Sequence, residues 1–89
     1  MAQSLPVALT PTEVAQAIEI KADMIKLFPA DEMGVAYFKS LQGPYNSTAF
    51  LAVGGIHIDN VEQWFMAGAA EVGVGNPHQS SAFIIVRPP

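Results

Sequence analysis

Lys26 is the residue of this 89-residue chain whose setting most suggests chemistry. It interrupts the apolar run Met24-Ile25-Lys26-Leu27-Phe28. If that run is a strand, Met24, Lys26 and Phe28 share one face and Ile25 and Leu27 the other. With Ile25 and Leu27 turned toward helices, Lys26 points to the opposite side, the lumen of a barrel. Withdrawal from water disfavours the ammonium and favours the free amine, the form that attacks a carbonyl carbon. A lysine at a strand end reaching back to water is the plainer alternative. The other lysines have simpler settings: Lys21 falls at an expected helix end, and Lys39 lies among Tyr37, Ser40 and Gln42 on an expected solvent-facing helix.

Two glycine-bearing segments add a second kind of chemistry. Val53-Gly54-Gly55-Ile56 and Gly73-Val74-Gly75-Asn76 each stand at the end of an apolar run. Glycine at such places lets backbone N–H groups approach an anion, and barrels often hold phosphate in the loops after their last two strands. Tight strand-to-helix turns would demand the same glycines for geometry alone. Their recurrence on successive strands, after a lysine placed as Lys26 is, makes an anion subsite the more specific reading. Asp31, Glu32, His57, Asp59, Glu62 and Trp64 read more simply: loop or helix-start residues in solvent, and a packing tryptophan.

These residues need elements to hold them, and the pattern supplies an alternation. Leu5–Leu9 reads as the end of a strand. Thr10-Pro11-Thr12-Glu13 is a helix start with a capping residue, a proline at the first position and an acid able to close a capping box. That helix is expected to reach about Lys21, with a strand over Ala22–Phe28 ended by Pro29. A helix over Gly34–Gln42 stops at Gly43-Pro44, and a strand over Thr48–Val53 meets Gly54-Gly55. A helix over Ile58–Ala67 ends at Gly68, and a strand covers Ala70–Val74. Alternating strands and helices imply parallel βαβ units with right-handed crossovers. An eight-unit barrel takes about 250 residues, so the expected fold is α/β, either half a barrel or a small open sheet. Residues 1–76 form this expected domain. Residues 77–89, with the β-branched run Ala82–Val86, form a divergent tail, either an edge strand or unrelated sequence.

Composition narrows the functional classes. There is no cysteine, which excludes disulfides, a thiolate nucleophile and cysteine-based metal sites, and His57 and His78 are too far apart to suggest metal ligation. No metal and no cofactor are expected. Four basic against eight acidic residues, a net charge of -4, argue against nucleic acid or an anionic membrane surface. The uncharged stretch Ser40–Ile58 is broken by Gly43, Pro44 and several polar residues, so it is not a span. Nothing at Met1-Ala2-Gln3-Ser4 marks export, and a cytoplasmic location is the expectation.

Leu9-Thr10-Pro11-Thr12-Glu13, Ile25-Lys26-Leu27-Phe28-Pro29-Ala30, Val53-Gly54-Gly55-Ile56, Asp59-Asn60-Val61, Trp64, Ala67-Gly68-Ala69 and Val72-Gly73-Val74-Gly75 together resemble one family. It is the class I aldolases for 2-dehydro-3-deoxy-6-phosphogluconate and 4-hydroxy-2-oxoglutarate. The resemblance runs from about Leu5 to Asn76 and matches the C-terminal half of a (β/α)8 TIM barrel. It implies that Lys26 is a Schiff-base lysine attacking the C2 ketone, with cleavage to pyruvate and an aldehyde. It further implies that Phe28 packs on the pyruvate moiety. Gly54 and Gly55, with Val53, Gly75 and Asn76, would hold the distal phosphate or carboxylate, and Thr10 would lie at the rim. The implied partner is a 2-keto-3-deoxy sugar acid phosphate or a hydroxy-oxo acid, and the implied assembly is a homo-oligomer, usually a trimer in the family.

The sequence also departs from the family. The family's general-base glutamate and its substrate-gripping arginine belong to the first half of the barrel, which the resemblance does not cover. Val7 and Lys21 stand where glycine is usual, Asn76 where a serine commonly binds phosphate, and Ala52-Val53 where Pro-Thr is frequent. Valine at 53 is closer to the phosphogalactonate branch. A noncatalytic anion-binding half-barrel and an assembly module completed by a partner are the alternative readings.

Overall fold

The computed structural model describes residues 5–43, 48–76 and 79–89, with the side chains of 76 and 79–83 left aside. Its strands are β1 (Val7–Ala8), β2 (Ile25–Leu27), β3 (Phe50–Val53), β4 (Glu71–Asn76) and β5 (Gln79–Val86); its helices are α1 (Pro11–Glu19), α2 (Ala30–Met33), α3 (Val35–Gln42) and α4 (Val61–Met66). The sheet runs β1-β2-β3-β4-β5 in space. Its first four strands are parallel, and β5 returns antiparallel along β4. Four parallel strands joined through helices are half of an eight-strand barrel, the expected architecture.

Strand alternation separates two faces. Ile25, Leu27, Phe50, Ala52 and Val72 are buried in a core with Val14, Phe38, Leu41 and Trp64 of the helices. Phe38 stands edge-on to Phe50, ring centroids 5.5 Å apart, and 5.7 Å from the Trp64 ring. Val7, Lys26, Leu51 and Glu71 form one rung across the opposite, inner face. Apolar side chains at the margins of that face stay exposed, Val7 by 55% and Phe28 by 49%. Among the described residues no helix is long and apolar enough to cross a membrane.

Element ends shift from the sequence expectation for identifiable reasons. The capping box at Thr10 and Glu13 starts α1 as expected. The helix then closes at Ile20 through a 6→1 and 5→2 hydrogen-bond pair, Ala22 N–H to Ala17 O (3.1 Å) and Lys21 N–H to Ile18 O (2.9 Å). Lys21 therefore lies past the helix with φ 57°, a left-handed position where glycine is normally found, and is not a cation of the last turn. That closure also removes Ala22 from the following strand, which pairs only over Ile25–Leu27. An unforeseen short helix, α2, fills the gap before Gly34, whose φ of 89° separates it from α3.

His57 does not begin the next helix. The Asn60 side chain accepts its N–H (2.6 Å), holding a turn that delays α4 to Val61. Gly68, φ 113°, ends α4 as expected, with Ala69 N–H on Trp64 O and Gly68 N–H on Phe65 O, both at 3.0 Å. The run Ala82–Val86 belongs to β5, the edge strand of the sheet. Pro44, expected to stop α3, lies outside the described residues, as do Met1–Ser4.

Candidate functional site

Lys26 occupies the middle of β2 with Val7 and Leu51 as its register partners, which fixes its side chain on the inner face. Ile25 and Leu27 are buried toward the helices, as the alternation requires, and Lys26 is half-buried. Its ammonium nitrogen lies 5.7 Å from the centroid of the Phe28 ring. Phe28 stands on the same face just beyond the strand, where the chain turns through a cis Phe28–Pro29 peptide bond into α2.

That turn packs against the loop after β3. A Cβ at Gly54 (φ 112°) would stand 3.0 Å from Pro29 Cα and 3.1 Å from Phe28 Cδ1, so only glycine brings these two segments together. Asp31 N–H donates to Gly54 O (2.9 Å) across the same contact. Gly55, φ 74°, lies directly on Asp31: a Cβ there would be 2.7 Å from the Asp31 Cβ. Lys26, Phe28, Gly54, Gly55 and Asp31 are thus linked in one chain of contacts at the C-terminal ends of β2 and β3.

The remaining expected residues border this cluster in different ways. Val53 ends β3 buried, paired in register with Gly73 of β4. Gly75 donates its N–H to Ile56 O (3.0 Å), so that donor braces the loop after Gly55. Asn76 ends β4, and its side chain lies outside the described residues. Thr10 sits at the end of the loop following β1, with its hydroxyl engaged by Glu13: Thr10 Oγ1 donates to Glu13 Oε1 at 3.1 Å and accepts from Glu13 N–H at 3.3 Å. Tyr37 ties α3 to that loop by donating its hydroxyl hydrogen to Leu9 O. Glu71, on the Lys26 rung, is ion-paired with Arg87. No group of three or more acidic, histidine or cysteine side chains suited to a metal occurs among the described residues.

Asp31 is the member of the cluster that sequence reading passes over, because an acid after Pro-Ala looks like a solvated loop. Its signal is indirect: a Gly-Gly pair marks a place where another part of the chain comes close.

The family model for KDPG and KHG aldolases matches residues 1–86. This chain belongs to that family. It is 39% identical over 72 residues to the 2-dehydro-3-deoxy-6-phosphogalactonate aldolase of Escherichia coli (strain K12), covering 80% of this chain and 35% of the relative. It is 33% identical over 61 residues to a 2-dehydro-3-deoxy-phosphogluconate aldolase of Treponema pallidum (strain Nichols), covering 67% and 29%. The chain therefore matches about a third of the length of these curated relatives. A solved structure described as native KDPGal superposes with a TM-score of 0.78 at 35% identity, over 88% of this chain and 40% of that one. A cube-shaped protein cage designed by fusing symmetric oligomeric domains gives 0.75 at 38% identity, over 80% and 27%.

Proposed function

We propose that this chain carries the imine-forming part of a class I aldolase site and acts on 2-oxo acids of the 2-dehydro-3-deoxy-6-phosphogluconate or 4-hydroxy-2-oxoglutarate type. The carrying observation is the position of Lys26 on the inner face, 5.7 Å from the Phe28 ring that abuts Gly54. The free amine of Lys26 adds to the C2 ketone, and loss of water gives a protonated imine. The C3–C4 bond then breaks with its electron pair flowing into that iminium, while the C4 hydroxyl loses its proton and leaves as an aldehyde. Protonation of the resulting enamine at C3 and addition of water release pyruvate and restore the lysine. The aldehyde is glyceraldehyde 3-phosphate or glyoxylate for the two substrate types.

In this reading Phe28 supplies an apolar wall for the pyruvyl methyl group. Val53, Gly54, Gly55, Gly75 and Asn76 border the distal end, and Thr10 lies at the rim. The group that takes the C4 hydroxyl proton is not among these residues, and Glu71, the carboxylate on the Lys26 rung, is committed to Arg87. The exposed inner-face side chains Val7 and Phe28 favour a second role beside the first, assembly against a further half-barrel or another copy of this chain.

Borohydride reduction in the presence of pyruvate tests the chemistry. A reduced pyruvyl adduct mapped to Lys26 by peptide mass spectrometry is expected, and Lys26→Met should abolish it. A folded sample with no adduct at Lys26 overturns imine formation here.

A further inference from the structure

β5 bounds one side of the sheet, and its outer edge is unpaired among the described residues. The strand pairs regularly with β4 from Val86 opposite Val72 to Phe83 opposite Gly75, and the register shifts only beyond, between Gly75 and Asn76. Val72 and Val74 pack toward the helices, so Val86 and Ile84 opposite them lie on that face, and Ile85, opposite Gly73, lies on the inner one. β5 is the last element, and among the described residues no helix follows to cover it. Ile84 is 65% exposed and Ile85 38%.

An open edge offers backbone N–H and C=O groups to another strand, and proteins blunt such edges with charge, proline or shortness. Gln79–Val86 has none of these: it is eight residues long and holds no Asp, Glu, Lys, Arg or Pro. Blunting begins just past it, at Arg87-Pro88-Pro89. We infer that the outer edge of β5 is a self-association surface, on which a second copy of this chain pairs antiparallel through Ala82–Val86 to form a closed dimer.

A two-fold axis perpendicular to the sheet runs β5 antiparallel to its own copy and keeps like faces together. With the axis at Ile84, that side chain stands opposite the same residue of the second copy on the helix-side face, and the two cover each other's apolar surface. Charge selects this occupant. All of the chain's net charge of -4 lies outside the strand, so self-pairing sets no like charges opposite one another along the edge. The pairing also closes, because it uses the β5 edge of both copies, and the β1 edge left at each end is only two residues long. The Lys26 cluster, at the ends of β2 and β3, stays outside the contact, so this surface is separate from the proposed site.

Sedimentation equilibrium tests the dimer, with circular dichroism showing that each variant is folded. The unmodified chain is expected to pass from the mass of one chain to that of two, and no further, as its concentration rises toward about 1 mM. Ile84→Lys and Ile84→Glu each set like charges across the axis and are expected to remain single chains. An equal mixture of the two is expected to recover the mass of two chains, because opposite charges then meet. Val7→Lys, on the inner face, is expected to leave the dimer intact. A single chain at about 1 mM, growth past two chains, a dimer that survives Ile84→Lys, a mixture that stays monomeric, or loss of the dimer in Val7→Lys overturns the inference. If the Ile84 variants do not fold, hydrogen exchange on the unmodified chain decides. Amides within Ala82–Val86 are expected to exchange roughly tenfold more slowly in concentrated than in dilute samples, and rates independent of concentration overturn the pairing.

Discussion

Phe28 rests against Gly54 so closely that a single methyl group at position 54 would meet the Phe28 ring at 3.1 Å and the Pro29 Cα at 3.0 Å. Backbone lies on one side of this contact, so relief cannot come from a side-chain rotation alone. Gly54→Ala also forces a left-handed φ of 112° on a residue with a Cβ. The expected cost is about 2–4 kcal/mol in urea unfolding, from backbone strain and overpacking together. In the proposed site Phe28 is the wall beside Lys26, so on that reading the yield of pyruvate adduct in the remaining folded fraction should fall as well.

Glu13 ties stability to pH. Its carboxylate accepts from Leu9 N–H at 2.9 Å, from Thr10 N–H at 3.0 Å and from the Thr10 hydroxyl. These bonds favour the ionised form and hold the group below its ordinary value of 4.5, with the Leu9 bond contributing most. A carboxyl whose folded value is depressed stabilises the fold above its unfolded value and loses that contribution as pH falls through the folded one. The unmodified chain should therefore melt above Glu13→Gln at pH 7, and the gap should close progressively below about pH 4.5. Melting temperatures of both proteins from pH 7 to 3 check this.

Lys21 offers a gain in stability. Its φ of 57° costs a residue bearing a Cβ about 1 kcal/mol relative to glycine in the same turn. Lys21→Gly should raise the unfolding free energy by roughly that amount, since the closing hydrogen bonds of Lys21 and Ala22 come from the backbone and are retained. A lowered denaturation midpoint would mean that the lysine side chain contributes more than its backbone costs.

What could be read from the sequence follows a physical division. Period-two alternation placed Lys26 opposite Ile25 and Leu27, and the capping chemistry of Thr10 and Glu13 and the closing glycine at 68 are local signals that survive folding. The paired length of a strand is not local. Ala22 is lost from the strand over Ile25–Leu27 because it completes the turn after α1, a choice made by one hydrogen bond from its own N–H and one from that of Lys21, neither residue having turn propensity. Nor is the partner of a glycine local: Gly55 announced a close approach, but only the docking of α2 shows that the approaching group is Asp31. The direction of β5 was equally hidden, because an apolar β-branched run suits either a parallel or an antiparallel neighbour.

Trp64 separates volume from hydrogen bonding in the core. Its side chain is fully buried, and its indole Nε1 has no hydrogen-bond partner among the described residues. A buried unpaired donor costs about 1–3 kcal/mol, while shrinking a large ring to a smaller one leaves a cavity. In Trp64→Phe the two effects oppose each other, and a net change within about 1.5 kcal/mol is expected. Trp64→Ala removes the same donor but leaves a much larger cavity, and should cost about 3–5 kcal/mol. Equilibrium urea unfolding of the two variants distinguishes these outcomes.

The placement of β5 has a consequence for association. In a closed (β/α)8 barrel each strand has a parallel neighbour on both sides, yet the outer edge of β4 is taken by an antiparallel strand from the same chain. Arg87, just past β5, reinforces that arrangement by its ion pair with Glu71 at the start of β4. Coverage of this kind pairs the β4 backbone groups, which would otherwise template pairing with another chain, and moves the sheet's open edge to β5. A chain ending at Asn76 keeps the Lys26 cluster and bares the β4 edge. It should associate in a concentration-dependent way that light scattering detects at protein concentrations where the full chain gives a lower, constant mass. Arg87→Ala keeps the strand and removes only the ion pair. Its mass should stay that of the full chain, and a rise matching the truncated form would mean that the ion pair, and not the strand, protects the edge.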